Sequence, residues 1–314
     1  MSKKTKGWLI AALCLIAAGG VFIAVGQGLG AASADETRTG IGIIDGFHIN
    51  VGSPVRLGWG SGGNSGSEKQ EIITFTAEET ASIEELDVEW NAGKLEFEEW
   101  NKTYIEAEVK YTDYSLKPSF TIKNGRLTVE TEGVRQISIN FGSVIDVISC
   151  VIRVPAGFSV KKAKVELNAG ILELTEGLRT AGKLDLCVNA GEMDVEGITA
   201  LENCRIDVNA GKLDVESVVS KQETRIGVNA GKADVEGTFE GDVDAEVNAG
   251  ALNFQNSVRA SDTSVDVTVS AGSASVNGHR CSGMDSSYVD TDAARPHAFT
   301  AHVSAGALTA EYAK

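Results

Sequence analysis

Carboxylates recur along this chain at a spacing that would set them in file. Five residues after the asparagines of a repeated Asn-Ala-Gly triplet come Glu173, Asp194, Asp214 and Asp234, and seven after come Glu196, Glu216 and Glu236. Oxygen-only ligand sets of this type suit Ca²⁺, and carboxylates in a groove are the machinery of glycan cleavage. A catalytic pair must converge on one point, whereas these columns repeat evenly from triplet to triplet, as a scaffold does. The nonapeptide of calcium-binding β-rolls is absent, so a tight structural calcium site is not indicated. The plain reading is a solvated acidic face that keeps a long sheet from pairing with others, with a cation or partner bound along the ladder as the alternative. Lys94, Lys212 and Lys232 stand two residues nearer the triplet and offer relief from the repulsion of stacked like charges.

Other groups with chemical capability are scattered. "GLRTAGKL", Gly177 to Leu184, imitates a phosphate-binding loop up to its lysine, but Leu184 stands where a Ser or Thr must hold Mg²⁺, and strands flank it instead of a helix. It reads as an inter-strand loop. Among the four histidines, His48, His279, His297 and His302, the spacing of His279, Cys281 and His297 fits no standard zinc pattern. No GxSxG elbow is present, and no serine or cysteine has a neighbour that nominates a base. Neither catalytic residues, metal ligands nor a cofactor are assigned. Cys150, Cys187, Cys204 and Cys281 lack any CxxC pairing, which leaves one or two disulfides or four free thiols open.

The elements that must position these residues are written in the triplet itself. Asn-Ala-Gly occurs at Asn91, Asn168, Asn189, Asn209, Asn229 and Asn248 and becomes Ser-Ala-Gly at Ser270 and Ser304, with steps from Asn168 of 21, 20, 20, 19, 22 and 34 residues. Apolar residues alternate with polar ones on both sides of the triplet: Leu186 and Val188 before, Met193 and Val195 after. That is the period of a strand on either side of a corner. Independent hairpins would need the Asn and Gly but would have no reason to keep the Ala. Successive coils stacked at about 4.8 Å place like side chains above one another. The predicted fold is therefore all-β, a parallel β-solenoid with rungs of about 20 residues, in which Asn168, Asn189, Asn209, Asn229 and Asn248 form a hydrogen-bonded ladder and the glycine supplies the backbone angles of the bend.

The predicted organisation is a basic stub over 1–6, a transmembrane helix over 7–30, a Gly/Ser-rich linker over 31–70, an irregular β lead-in over 71–160, and repeats over 161–314. An insertion over 279–297 is expected to loop out, and the C-terminal "LTAEYAK" to cap the stack. Gly7 to Ala34 carries no charge and follows Lys3, Lys4 and Lys6, so the chain should cross a membrane once with its C-terminal part outside. Ala32-Ser33-Ala34 offers signal peptidase cleavage as the competing reading. With 44 acidic against 28 basic residues and a net charge of −16, the surface excludes nucleic acid as a partner class.

With its triplets, its N-terminal anchor and the lead-in "VIRVPAGFSVKKAKVELNAG", the chain resembles a bacterial family of β-strand-repeat adhesin candidates of unassigned function that includes LiaG-like envelope proteins. The likeness runs from about Glu71 to Lys314. It implies a membrane-tethered, externally displayed β-solenoid associated with the cell envelope, and it brings no catalytic residues to carry over. The expected function is a non-catalytic surface protein that adheres, senses or scaffolds through an unknown protein or glycan partner. The alternatives are a carbohydrate-active enzyme on a β-helix and a Ca²⁺-responsive binding module.

Overall fold

The computed structural model describes residues 69–111, 118–131 and 149–314, together with the backbone of three short strands, Ile41–Ile44, Phe47–Asn50 and Arg56–Trp59. Those three strands pair antiparallel within the stretch expected to be a spacer. The basic stub, the membrane anchor and the Ala34 cleavage point lie outside the described residues. Among the described residues no helix is long and apolar enough to cross a membrane.

One rung shows how the rest are made. Strand Cys204–Val208 runs into the corner Asn209 to Gly211 and out along Lys212–Ser220. Cys204, Ile206, Val208, Leu213 and Val215 point inward and are buried, while Arg205, Asp207, Lys212 and Asp214 alternate with them outward. Ile206 stands in register between Leu186 and Ile226, and Leu213 between Met193 and Ala233, all on parallel strands. Burying each such side chain stabilises the fold by roughly 1.5 to 3 kcal/mol. A rung alone would leave its upper and lower flanks wet, so the stability resides in the stacking.

The ladder of backbone hydrogen bonds continues around the corner. Asn209 N donates to Val188 O at 2.8 Å, Ala210 N to Asn189 O at 3.0 Å and Lys212 N to Gly191 O at 2.8 Å. The corner glycine has a reason other than the expected one. A Cβ on Gly231 would lie 2.3 Å from Gly211 O, although the Gly231 backbone is not left-handed. Close stacking of corner on corner excludes a side chain there; only the earlier corners, such as Gly191 with φ +110°, also require positive φ.

Both ends of the stack depart from chain order, which corrects three expectations. Residues 71–160 are not all lead-in: Glu85–Trp90 pairs in parallel with Ser159–Leu167, and Lys94–Trp100 with Ile171–Leu174, so Asn91 belongs to a full rung. The long interval to Asn168 is an excursion whose strands Glu106–Tyr111, Arg126–Thr131 and Ser149–Pro155 fold back over that rung as an N-terminal cap. The hairpin Pro118–Lys123 to Arg126–Thr131 closes this cap through Asn124 and Gly125, both with positive φ as a type I′ turn demands.

At the other end, residues 279–297 do not loop out. His279–Ser282 and Ser286–Asp290 are strands, paired antiparallel with Ser273–Val276 and Thr263–Val269. They form the outer layer, joined by a turn in which Gly283 and Asp285 take positive φ. The C-terminal strands His297–Val303 and Ala307–Ala313 are not the cap: they lie between the rung at Val243–Arg259 and the rung at Thr263–Val276. The terminal rung is interior because its parallel faces satisfy two neighbours, whereas the antiparallel hairpin before it can end a sheet.

Candidate functional site

The corner asparagines touch. Asn168 Nδ2 donates to Asn91 Oδ1 at 2.8 Å, Asn189 to Asn168 at 2.7 Å, Asn209 to Asn189 at 2.6 Å, Asn229 to Asn209 at 2.7 Å and Asn248 to Asn229 at 2.8 Å. Every amide donates toward the N-terminal cap, so the dipoles align and reinforce one another. The cap end is finished by Asn91 Nδ2 donating to Thr131 O at 2.6 Å, and the other end by the Ser304 hydroxyl donating to Asn248 Oδ1 at 3.2 Å. Asn91, Thr131 and Ser304 thus complete the ladder at positions where the even repeat spacing lapses.

Outward from the corner, Glu173, Asp194, Asp214 and Asp234 stand in register on successive strands, with Glu96 before them and Asn253 after. Their neighbourhoods differ rung by rung. Lys94 Nζ lies 2.9 Å from both Glu96 and Glu173, and Lys232 Nζ lies 2.5 Å from Asp234. Asn253 Nδ2 donates to Asp234 at 2.6 Å, and these bonds hold the Asp234 carboxyl below its ordinary range although burial works the other way. Lys212 bridges Glu192 at 2.8 Å and Asp214 at 2.5 Å, which raises its own pKa.

Asp194 is the exception. Glu192 occupies the column where three other rungs place Lys94, Lys212 and Lys232, and among the described residues no cation forms an ion pair with Asp194. Burial, then Glu192 and Asp214, push its carboxyl above the ordinary value. Among the described residues, Glu192, Asp194 and Asp214 are the one group of three potential metal-ligating side chains whose ligand atoms lie within 4.8 Å of one another. The Lys212 ammonium already forms ion pairs with two of the three, Glu192 and Asp214, so a protein cation stands where an ion would.

The second acidic column is brought together only in part. Glu196 pairs with Glu216, but a bulge at Ser217, with φ 55°, slips the next register by one, so that Glu216 and Ser217 together stand opposite Glu236, whose partner on the following rung is Gln255. A shallow groove of about 500 Å³ runs over this region, lined by Asp214, Glu216, Asp234, Glu236, Asn253 and Glu311 among others. Its floor is the stacked sheet, without a deep enclosure.

Arg153 forms a cluster that inspection of the repeats does not reveal. Its guanidinium reaches Glu98 at 3.0 Å, Glu106 at 3.1 Å and Glu108 at 3.0 Å, joining the first rung to the cap. The alternation in "EAEVKY" hints at an outward glutamate row; its partner comes from a strand some forty residues on.

The remaining chemical candidates stay apart. Thr180 to Leu184 of the loop-like segment lie in strand Thr180–Val188, with no helix N-terminus beside them. His279 stacks on Tyr288 at 4.7 Å, away from any ligand trio with Cys281 and His297. Cys150, Cys187, Cys204 and Cys281 are free. Burial pushes the Cys204 thiol up to about 12 and that of Cys187 to about 11, so both are protonated and weakly nucleophilic at neutral pH.

Comparison with known proteins places this architecture. A candidate cell adhesion protein from Clostridium sporogenes ATCC 15579 is similar in structure at 15% identity, over 78% of this chain and 100% of its own, with a TM-score of 0.35. A candidate adhesin from Parabacteroides distasonis ATCC 8503 is similar at 14% identity, over 78% of this chain and 97% of its own, with a TM-score of 0.36. No curated protein matches the chain. Residues 83–303, from the first rung to the inserted terminal one, match the Toastrack DUF4097 family model, and the chain belongs to that family.

Proposed function

We propose that this protein is a non-catalytic, adhesin-like surface scaffold, tethered by its N-terminal apolar segment and presenting the acidic solenoid outside the membrane for adhesion or envelope sensing. The single observation that carries the reading is the even registry of the outward column from Glu96 to Asp234. Carboxylates step from strand to strand, all but Asp194 with a lysine or amide partner, and among the described residues they do not gather around an enclosed pocket, which is the arrangement of a presented surface. The uncharged run Gly7 to Ala34 after Lys3, Lys4 and Lys6 supports the tether and its orientation.

Intact cells carrying the chain with a C-terminal tag provide the test. Added protease is expected to remove the tag, and alkaline extraction to leave the protein in the membrane pellet. A tag protected in intact cells, or a chain released into the soluble fraction, would overturn the tethered display. Release of reducing ends from envelope or host glycans by the purified chain, lost in one carboxylate-to-amide variant, would overturn its non-catalytic character.

A further inference from the structure

The position of the C-terminal rung is the least ordinary feature of the stack. Val243, Ala245 and Val247 pair with Phe299, Ala301 and Val303, which pair in turn with Val265, Val267 and Val269. Around the corner Leu252 pairs with Leu308, and Leu308 with Ala274. The last rung of the chain therefore separates two rungs that are consecutive in sequence. The short turn Ala260–Asp262 between those two must climb two strand spacings, about 9.6 Å, where the other connections climb one.

The insertion is neutral in register. Val243 and Val265 face the same Phe299, and Leu252 and Ala274 the same Leu308, so the flanking rungs are already aligned for direct pairing. The step from Asn248 to Ser270, 22 residues, is close to those of the regular rungs. Withdrawal of the terminal rung would leave a gap that the chain can close upon itself with every column still matched. A filled slot and a closed slot are two discrete packings of one sequence.

Other details make the rung separable. Thr291 to Ala294 are exposed and outside any strand, and the connection is held by Arg295, which donates to Thr263 O and Asp290 O at 3.1 Å each, and by Ser264, whose hydroxyl bonds the Asp292 backbone at 3.0 and 3.1 Å. The rung is anchored by Phe299, stacked on Phe254 at 5.6 Å, and by Tyr312, 6.0 Å from Phe254. The Tyr312 hydroxyl is buried beside Asn256 without a hydrogen bond of good geometry, an arrangement that weakens the hold.

We propose that residues 297–313 are an exchangeable strand pair, and that the slot between Val243–Arg259 and Thr263–Val276 accepts the terminal rung of a second copy of this chain. The second copy is the fitting occupant because its rung reproduces the parallel register on both flanks, the small Ala301 and Gly306 at the crowded positions, and the aromatic pair that fills the space beside Phe254. Exchange makes no contact that the single chain lacks, so its extent is set by the concentration of the chain. Six linker residues extend to about 20 Å, so exchanging copies lie side by side. This inference does not depend on the tethered-display reading, since it concerns the stack alone.

Full-length chains with one introduced surface cysteine each test it, with Cys14 and Cys187 replaced by serine and Cys150, Cys204 and Cys281 left buried in the core. Asp244 and Thr300 are exposed register partners on neighbouring parallel strands, at a separation that a disulfide spans. Chains carrying Asp244→Cys mixed at high concentration with chains carrying Thr300→Cys are expected to give a disulfide-linked dimer through those two positions. Carrying both substitutions in one chain is expected to lock the rung within that chain and abolish the dimer. Deleting Ala293 and Ala294 should raise the dimer fraction several-fold by straining the return connection, and Tyr312→Phe should lower it. Absence of the mixed disulfide in both the parent and the shortened linker, or a dimer that persists in the locked chain, would overturn the proposal.

Discussion

Asn209 Nδ2 lies 2.6 Å from Asn189 Oδ1, and Asn229 Nδ2 lies 2.7 Å from Asn209 Oδ1, so one side chain joins three rungs. Asn209→Ala breaks both bonds and leaves a half-buried acceptor on one side and a donor on the other. The expected cost is about 1 to 3 kcal/mol, read as a lowered urea midpoint with an unchanged slope. Ser304→Ala removes only the terminal bond to Asn248 and should cost less than half as much.

Gly231 answers to the rung beneath it. An alanine Cβ there would meet Gly211 O at 2.3 Å, a backbone atom that cannot step aside without moving its own rung. Gly231→Ala is therefore expected to destabilise the chain by about 2 kcal/mol or more. The same change at Gly278, where nothing lies within 4 Å of the added carbon but φ is +85°, should cost only the strain of a left-handed alanine, roughly 1 kcal/mol. Thermal melts of the two variants separate crowding from backbone strain.

Asp194 carries a like-charge penalty that its neighbours in the column escape. Its carboxyl is raised above the ordinary value by burial, Glu192 and Asp214, so the penalty is absent below the unfolded pKa and grows as pH rises through the folded one. Asp194→Asn should raise stability at neutral pH by roughly 0.5 kcal/mol, the value of one such cross-strand repulsion after solvent screening. The gain should disappear near pH 3. A stability increment that persists at that pH would assign the effect to packing instead.

Lys212 holds Glu192 and Asp214 together at 2.8 and 2.5 Å. Lys212→Ala leaves three carboxylates within 4.8 Å of one another and no resident cation. The variant is expected to melt several degrees lower in chelator and to recover most of the difference in millimolar Ca²⁺, while the parent shifts little. A parent that responds to Ca²⁺ as strongly as the variant would show that the ammonium does not stand in for an ion.

How much of this was legible differs along the chain. Alternation on either side of Asn-Ala-Gly identifies inward and outward residues, because a strand's side chains must alternate whatever it pairs with. Repetition of the same residue in each column identifies registry, because only stacked coils bring Asn189, Asn209 and Asn229 together. The acidic file from Glu173 to Asp234 follows from that registry. Its chemistry does not: whether a carboxylate meets lysine, amide or another carboxylate depends on side chains reaching across rungs, as Lys94 does to Glu173. The column Glu196, Glu216 and Glu236 is even in sequence and uneven in space, since one bulge at Ser217 slips the pairing by a residue.

What the amino-acid order determined by itself is the rung: its length, its two faces, its corner and the residues its interior must hold, all consequences of local alternation and of the demand that apolar faces be covered. What only the tertiary structure decided is the order of the rungs at the two ends. A rung's edges present the same parallel hydrogen-bonding pattern to any matching rung, so pairing strength alone does not distinguish a neighbour in sequence from one further along. The choice falls to packing at the termini, where Phe299 and Tyr312 fill the space around Phe254 and the antiparallel hairpin after Val276 closes the sheet. Those contacts join residues tens of positions apart, and they exist only once the stack has formed.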